Sequence, residues 1–252
     1  MNYPILEFDS TQEAFIDPSK VVQSWDAPEH CVISFFGEVI EGVASEHQAR
    51  MVVENRWEDG PHPLDEIEHT GQRLAFFHPG VGAPLSAALL EEVIAFGCRK
   101  FLVCGGCGVL EKGMAVGHLV VVSSAVRDEG TSYHYLPPSR EVKANGAAVG
   151  ALVKHLETGK IPYVVGKTWT TDAPYRETAN RIARRREEGC LTVDMEAAAM
   201  MAVAEFRDVI LGQVLYGGDD LSGDEWDNRE WQSRTEIREQ LFWLCADVCL
   251  GL

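Results

Sequence analysis

The chain is short of positive charge. Its 22 lysines and arginines stand against 39 aspartates and glutamates, a net charge of −17, so nucleic acid and anionic membranes would be repelled over most of the surface. Long apolar runs are missing too. No stretch reaches the roughly 18 apolar residues of a membrane span, and Met1-Asn2-Tyr3-Pro4 lacks the basic-then-apolar plan of a secretory signal. The expected location is therefore the cytoplasm. A disulfide framework is absent as well, because seven cysteines, an odd number, are scattered over 252 residues. Such thiols in a reducing compartment behave as small buried apolar groups. Cys104 and Cys107 form one C-x-x-C pair, but no second pair follows at zinc spacing, so no metal site is expected. Repeats, low-complexity segments and a dividing linker are also lacking.

What is present is enough apolar residue, 46%, to bury a sizeable core. Residues 1–30, punctuated by Pro4, Pro18 and Pro28, read as an arm, and 31–252 as one domain. Short apolar runs at 31–36, 74–78, 100–104, 118–124, 163–167, 191–194 and 209–216 predict strands. Helical spacing is expected over 45–56, 85–96, 142–156, 178–188, 196–206 and 231–249, with 59–69 a turn-rich, acidic connection containing Pro61 and Pro63. This alternation predicts an α/β sandwich.

Three predicted strands run into glycine-rich turns: Gly37, then Gly80-Val81-Gly82, then Gly105-Gly106-Cys107-Gly108. One such turn has a purely geometric explanation, but three at equivalent strand ends point to one shared crevice. The stretch Val193-Asp194-Met195-Glu196-Ala197-Ala198-Ala199-Met200 places an acid, Glu196, where a strand end meets an alanine-rich helix. A carboxylate there can accept hydrogen bonds from a vicinal diol. The same octapeptide also reads as a helix start where the macrodipole favours acids.

In its Met-Glu motif (Met195, Glu196) and its Gly105-Gly106-Cys107-Gly108 turn, the sequence resembles the nucleoside phosphorylase and uridine phosphorylase family. The stretches Val126 to Ser132, with His134-Tyr135, and Thr170 to Tyr175 are similar to the uridine phosphorylase branch. The resemblance implies a three-layer α/β/α sandwich with a central mixed sheet. It also implies cleavage of a nucleoside N-glycosidic bond to free base and ribose 1-phosphate, with inorganic phosphate as co-substrate and no cofactor. Members form dimers, trimers or hexamers, so a homo-oligomer is expected. By the same resemblance Glu196 and Met195 would hold the ribose, while Tyr175 and Trp169 would stack on the base. Asp219 would protonate the departing base, with Asp220 the alternative if the loop is shifted by one.

The family's phosphate arginines are not found. Their positions align with Glu41 and Val103, and the Ser/Thr of the cysteine turn becomes Gly106. Arg127 or Arg56 would have to substitute, helped by backbone donors at Gly37, Gly80, Gly82, Gly105 and Gly106. Two alternatives follow. Glu41, or Glu38, could activate water in a hydrolytic nucleosidase, or the chain could bind nucleosides without cleaving them. No histidine precedes His30, so the family's usual contact to the ribose 5′-hydroxyl is also missing.

Overall fold

The computed structural model describes residues 3–21 and 26–252. After an arm with a 3-10 turn (Pro4–Leu6) and α1 (Pro18–Val21), the chain forms β1 (His30–Ser34), α2 (Gly37–Glu46), β2 (Arg50–Trp57), β3 (Gly60–His69) and β4 (Gln72–Phe77). Next come α3 (Ala83–Phe96), β5 (Lys100–Val109), β6 (Leu119–Asp128), β7 (Glu141–Lys143) and α4 (Gly146–Gly159). The chain continues through β8 (Tyr163–Thr171), α5 (Ala179–Glu187), β9 (Cys190–Asp194), α6 (Ala197–Phe206), β10 (Ile210–Asp220) and α7 (Thr235–Leu250).

All ten strands belong to one mixed sheet. Its order is β10-β6-β8-β9-β5-β1-β4-β3-β2, with β7 off this path on β6, and β10 also pairs with β5, so five strands close into a ring that carries β7 and a four-stranded wing. Successive residues of β1 face opposite cores. Cys31 and Ile33 pack beneath α3 and α6, whereas Val32 packs beneath α2, α4 and α7. Helices on both faces explain why this strand is an unbroken apolar run rather than an alternating one. Every residue from Ala197 to Ala204 on α6 is buried, and its small side chains let the helix lie close to α3 and the sheet. The arm rests on its own chain, where Arg207 Nη1 donates to the Gln12 carbonyl at 3.2 Å. No helix among the described residues is long and apolar enough to cross a membrane.

Three local expectations need correction. The helix expected over 45–56 lies earlier, at Gly37–Glu46, and β2 follows it. Gln48, at φ 49°, takes the left-handed conformation that ends the helix, and only Val52 of β2 is buried. An edge strand with so few buried positions leaves little period-two signal. The connection expected over 59–69 is instead β3, antiparallel to β2. Pro61 and Pro63 fall in the half of β3 that has no partner in β4, whose pairing begins at Asp65, so they remove no hydrogen bond on that side. Finally, the glycines at 105–108, expected to form a turn, do not turn the chain, and neither do Gly217 and Gly218. They continue β5 and β10 and admit neighbours to the backbone.

Gly212 of β10 is such a position in the core. A Cβ there would stand 2.7 Å from the Ala148 Cβ on α4. Gly212→Ala is therefore expected to destabilise the fold by about 1–3 kcal/mol through overpacking. Urea unfolding of the variant against the parent checks this, and a midpoint shift with unchanged slope is the expected result.

Candidate active site

A cavity of about 510 Å³ opens where β1, β5, β9 and β10 end. Its walls come from Phe35 and Phe36, the 105–108 glycine run, Val193 to Glu196, and Gln213, Leu215 and Asp219 of β10. Val81, Pro174, Glu177, Trp231, Gln232 and Arg238 complete them.

Asp194 is a buried polar group of the wall. Its carboxylate accepts the backbone N–H of Glu196 at 3.0 Å and of Ala197 at 2.6 Å. It also accepts the Thr170 and Thr168 hydroxyls at 2.9 and 3.2 Å. Thr170 Oγ1 in turn accepts the Ala198 N–H at 3.0 Å. Three orphan amides of the first turn of α6 are thus satisfied by side chains of β8 and β9. Burial still pushes the Asp194 carboxyl up, against the pull of those hydrogen bonds.

Glu196 follows directly and lines the cavity beside Met195. It is 7% exposed, and its Oε1 accepts the Gly82 N–H at 2.7 Å. Burial first, and Asp194 second, push its carboxyl up to about 8. Gly82 sits at φ +95° and Gly80 at φ +71°, which steers this loop toward Glu196.

These contacts change the expectation of an anion loop at Gly80 and Gly82. The Gly82 amide is spent on Glu196, and the Gly80 amide donates to His78 Nδ1 at 3.0 Å. Gly37 begins α2 and is not part of the cavity wall, whereas Gly105 and Gly106 are. Arg127 is buried away from the cavity, and its guanidinium is committed to Ser132 Oγ, Ser139 Oγ and the carbonyls of Leu136 and Pro137. Arg56 pairs with Glu54 on the edge strand. Glu41 is exposed on α2, outside the cavity.

The aromatic pair expected to stack on the base does not line the cavity either. Trp169 is fully buried, with its indole N–H donating to Asp128 at 2.9 Å. Tyr175 is 99% exposed at the rim, and it is Pro174 of the same turn that faces inward. Of the two acids ending β10, Asp219 faces the cavity, while Asp220 is bound by Arg229 and the Ser222 amide. Cys104 and Cys107 cannot act as a pair, because residues three apart on a strand face opposite sides. Cys104 packs beneath α7 and Cys107 on the other core.

Several cavity residues were not anticipated from the sequence. Trp231 enters the cavity because Gly106 and Gly218 have no side chains, and Cβ atoms there would stand 3.3 and 3.2 Å from it. Arg238 is the only cationic side chain in the wall among the described residues. Its Nη1 lies 2.6 Å from Glu38 Oε1, its Nε donates to the Tyr216 hydroxyl at 3.1 Å, and its guanidinium lies over the Phe36 and Trp231 rings. Glu177 has no side-chain hydrogen bond among the described residues, and burial, then Asp219, push its carboxyl up to about 7. On Asp219 itself, Oδ2 accepts the indole N–H of Trp226 at 2.7 Å. Four carboxyl groups therefore face one already paired guanidinium. A lone arginine on a terminal helix gives no local signal of this placement; the one available clue was glycine where the family has Ser or Thr.

Comparison with known proteins bears on the whole chain. Residues 31–242 match the Phosphorylase superfamily. A guanosine phosphorylase of Halorubrum lacusprofundi is 29% identical over 166 residues, 66% of this chain and 67% of that protein. The solved uridine phosphorylase of Vibrio fischeri superposes with a TM-score of 0.76 at 17% identity, covering 90% of this chain and 94% of that one. An AMP nucleosidase of Bacteroides thetaiotaomicron does so with a TM-score of 0.72 at 20% identity, covering 88% and 87%. At such identities the two structures speak for the fold. The matched span runs from β1 into α7 and takes in every element that lines the cavity, and the chain belongs to the phosphorylase superfamily.

Proposed function

We propose that this protein cleaves the N-glycosidic bond of a nucleoside. The observation that carries the reading is the joining, in one cavity, of Met195 and Glu196 with Asp219 and Glu177. A ribose seated on Glu196 would donate hydrogen bonds from its 2′- and 3′-hydroxyls to the carboxylate while Met195 covers the apolar sugar face. The base would then lie toward the two acids. As the bond breaks, the sugar gains oxocarbenium character and the base gains negative charge, so an acid on the base side lowers the barrier.

Family membership and the guanosine and uridine phosphorylase relatives support phosphorolysis, giving free base and ribose 1-phosphate. Hydrolysis is the second reading, and one observation favours it. The single cavity guanidinium already pairs with Glu38, and the amides of Gly80 and Gly82 are used internally, so phosphate would meet carboxyls with few donors to offset them. Glu38, exposed and outside the cavity lining but paired with Arg238 of its wall, is better placed than Glu41 for contact with a water there. A homo-oligomer in the cytoplasm remains part of the proposal.

Incubation with purine and pyrimidine nucleosides, with and without phosphate, separates the readings. Phosphorolysis gives ribose 1-phosphate only when phosphate is added. Hydrolysis gives free ribose in either case, and bound but uncleaved nucleoside would overturn both. Glu196→Ala is expected to lower kcat/KM about a hundredfold or more, since it removes hydrogen bonds to a charged group worth about 1.5–3 kcal/mol each. The raised pKa of Glu196 sets a sign for binding. Ribose hydroxyls favour its ionised form, so binding near pH 7 should release a proton, and affinity should rise from about pH 7 to about pH 9. Calorimetry in two buffers of different ionisation enthalpy measures that proton.

A further inference from the structure

Two acids face the base side of the cavity, and they differ in their surroundings. Asp219 has one oxygen held by the Trp226 indole N–H at 2.7 Å. Glu177, on the segment between the Pro174–Arg176 turn and α5, has neither oxygen held by a side chain or amide among the described residues, and it is half-buried in the wall. The other titratable groups around that cavity are Asp194, Glu196, Cys107 and Arg238. Asp194 is saturated by hydrogen bonds, Glu196 accepts the Gly82 amide, and Arg238 is paired with Glu38. The Cys107 thiol is buried, lies 3.3 Å from the Tyr216 carbonyl, and is pushed further up by burial. Among the described cavity carboxyls Glu177 is thus the one with neither oxygen engaged by a side-chain or amide donor, whereas Asp219 and Glu196 each have one oxygen held.

Resting on the nucleoside-cleaving reading, we infer that Glu177 is the catalytic acid that protonates the departing base, with Asp219 as the neighbouring carboxyl that keeps the proton on it. In the step, the C1′–N bond breaks with its electron pair passing to the base. The Glu177 O–H proton goes to a base nitrogen, and a C1′–O bond forms to water or hydrogen phosphate. The proton that this nucleophile loses restores Glu177 through solvent, so the cycle balances for either nucleophile. A carboxyl held near neutral pH by burial and a like charge suits the task, because it is still partly protonated when the base departs.

The test compares the parent with Glu177→Gln and Glu177→Asp on a nucleoside that the parent cleaves and on 4-nitrophenyl β-D-ribofuranoside. The nitrophenolate of the second substrate departs without protonation. Glu177→Gln should lose about a hundredfold in kcat on the nucleoside but less than tenfold on the nitrophenyl riboside, with Glu177→Asp between. In the parent, kcat on the nucleoside should fall as pH rises through about 7, and this basic limb should vanish in Glu177→Gln. It is read in kcat because Glu196 governs binding. Equal losses on both substrates, or a basic limb retained in Glu177→Gln, overturns the role of Glu177 and leaves nucleoside cleavage standing. If the parent cleaves no nucleoside, the functional reading falls and the inference falls with it.

Discussion

The hydrogen bonding of Asp194 is the constraint on which the site depends. A buried carboxylate is tolerated only where donors replace water, and here two threonine hydroxyls and two helix amides do so. Those bonds join β8, β9 and the first turn of α6 in one unit. Met195 and Glu196 sit inside it, so their position follows from the backbone rather than from loop packing. The second acid is then held next to the first, and Asp194 helps make Glu196 reluctant to ionise in an empty cavity. Stability of the junction and readiness for a polar ligand share one origin.

Much of the fold was legible, and for a physical reason. Strands such as β1 and β6, buried on both faces, carry consecutive apolar residues over 31–33 and 119–122, and α6 is largely small-sided to pack closely, so both write their environment into consecutive residues. The wing was less legible because β2 and β3 bury few side chains, so 45–56 and 59–69 carried no strand pattern. At the site, Glu196, Met195 and Asp219 were visible because each sits beside a strand end with its own local motif. Trp169 and Tyr175 were misread because residue type says that a ring can stack but not which way it faces. One is locked inside by Asp128 and the other lies in solvent. Arg238 and Trp231 enter through long-range packing against Phe36, Gly106 and Gly218, which no local pattern records.

The balance of charge in the cavity separates two demands. Holding a ribose and assisting a departing base both call for carboxyl groups, and the wall has four. Holding an inorganic anion calls for uncommitted donors; the two arginines expected from the sequence are used elsewhere, Arg127 clamping its own loop and Arg56 pairing on the wing, and Arg238 of the wall is taken by Glu38. The glycine that replaces Ser or Thr at 106 belongs to the same change, since it gives Trp231 the space beside β5.

The ring closed by β5 and β10 has a further consequence. Five strands pair all round, and β10 pairs with β5 from Lys100 to Cys107, so that side of the floor cannot widen without breaking ladder hydrogen bonds. Room for ligands of different size comes from the segments above it, the 174–177 turn and the 221–231 stretch, which bear Glu177, Trp226 and Trp231. Residues in those two segments can therefore be exchanged at little expense to folding, while the half lined by Met195 and Glu196 stays tied to the integrity of the sheet.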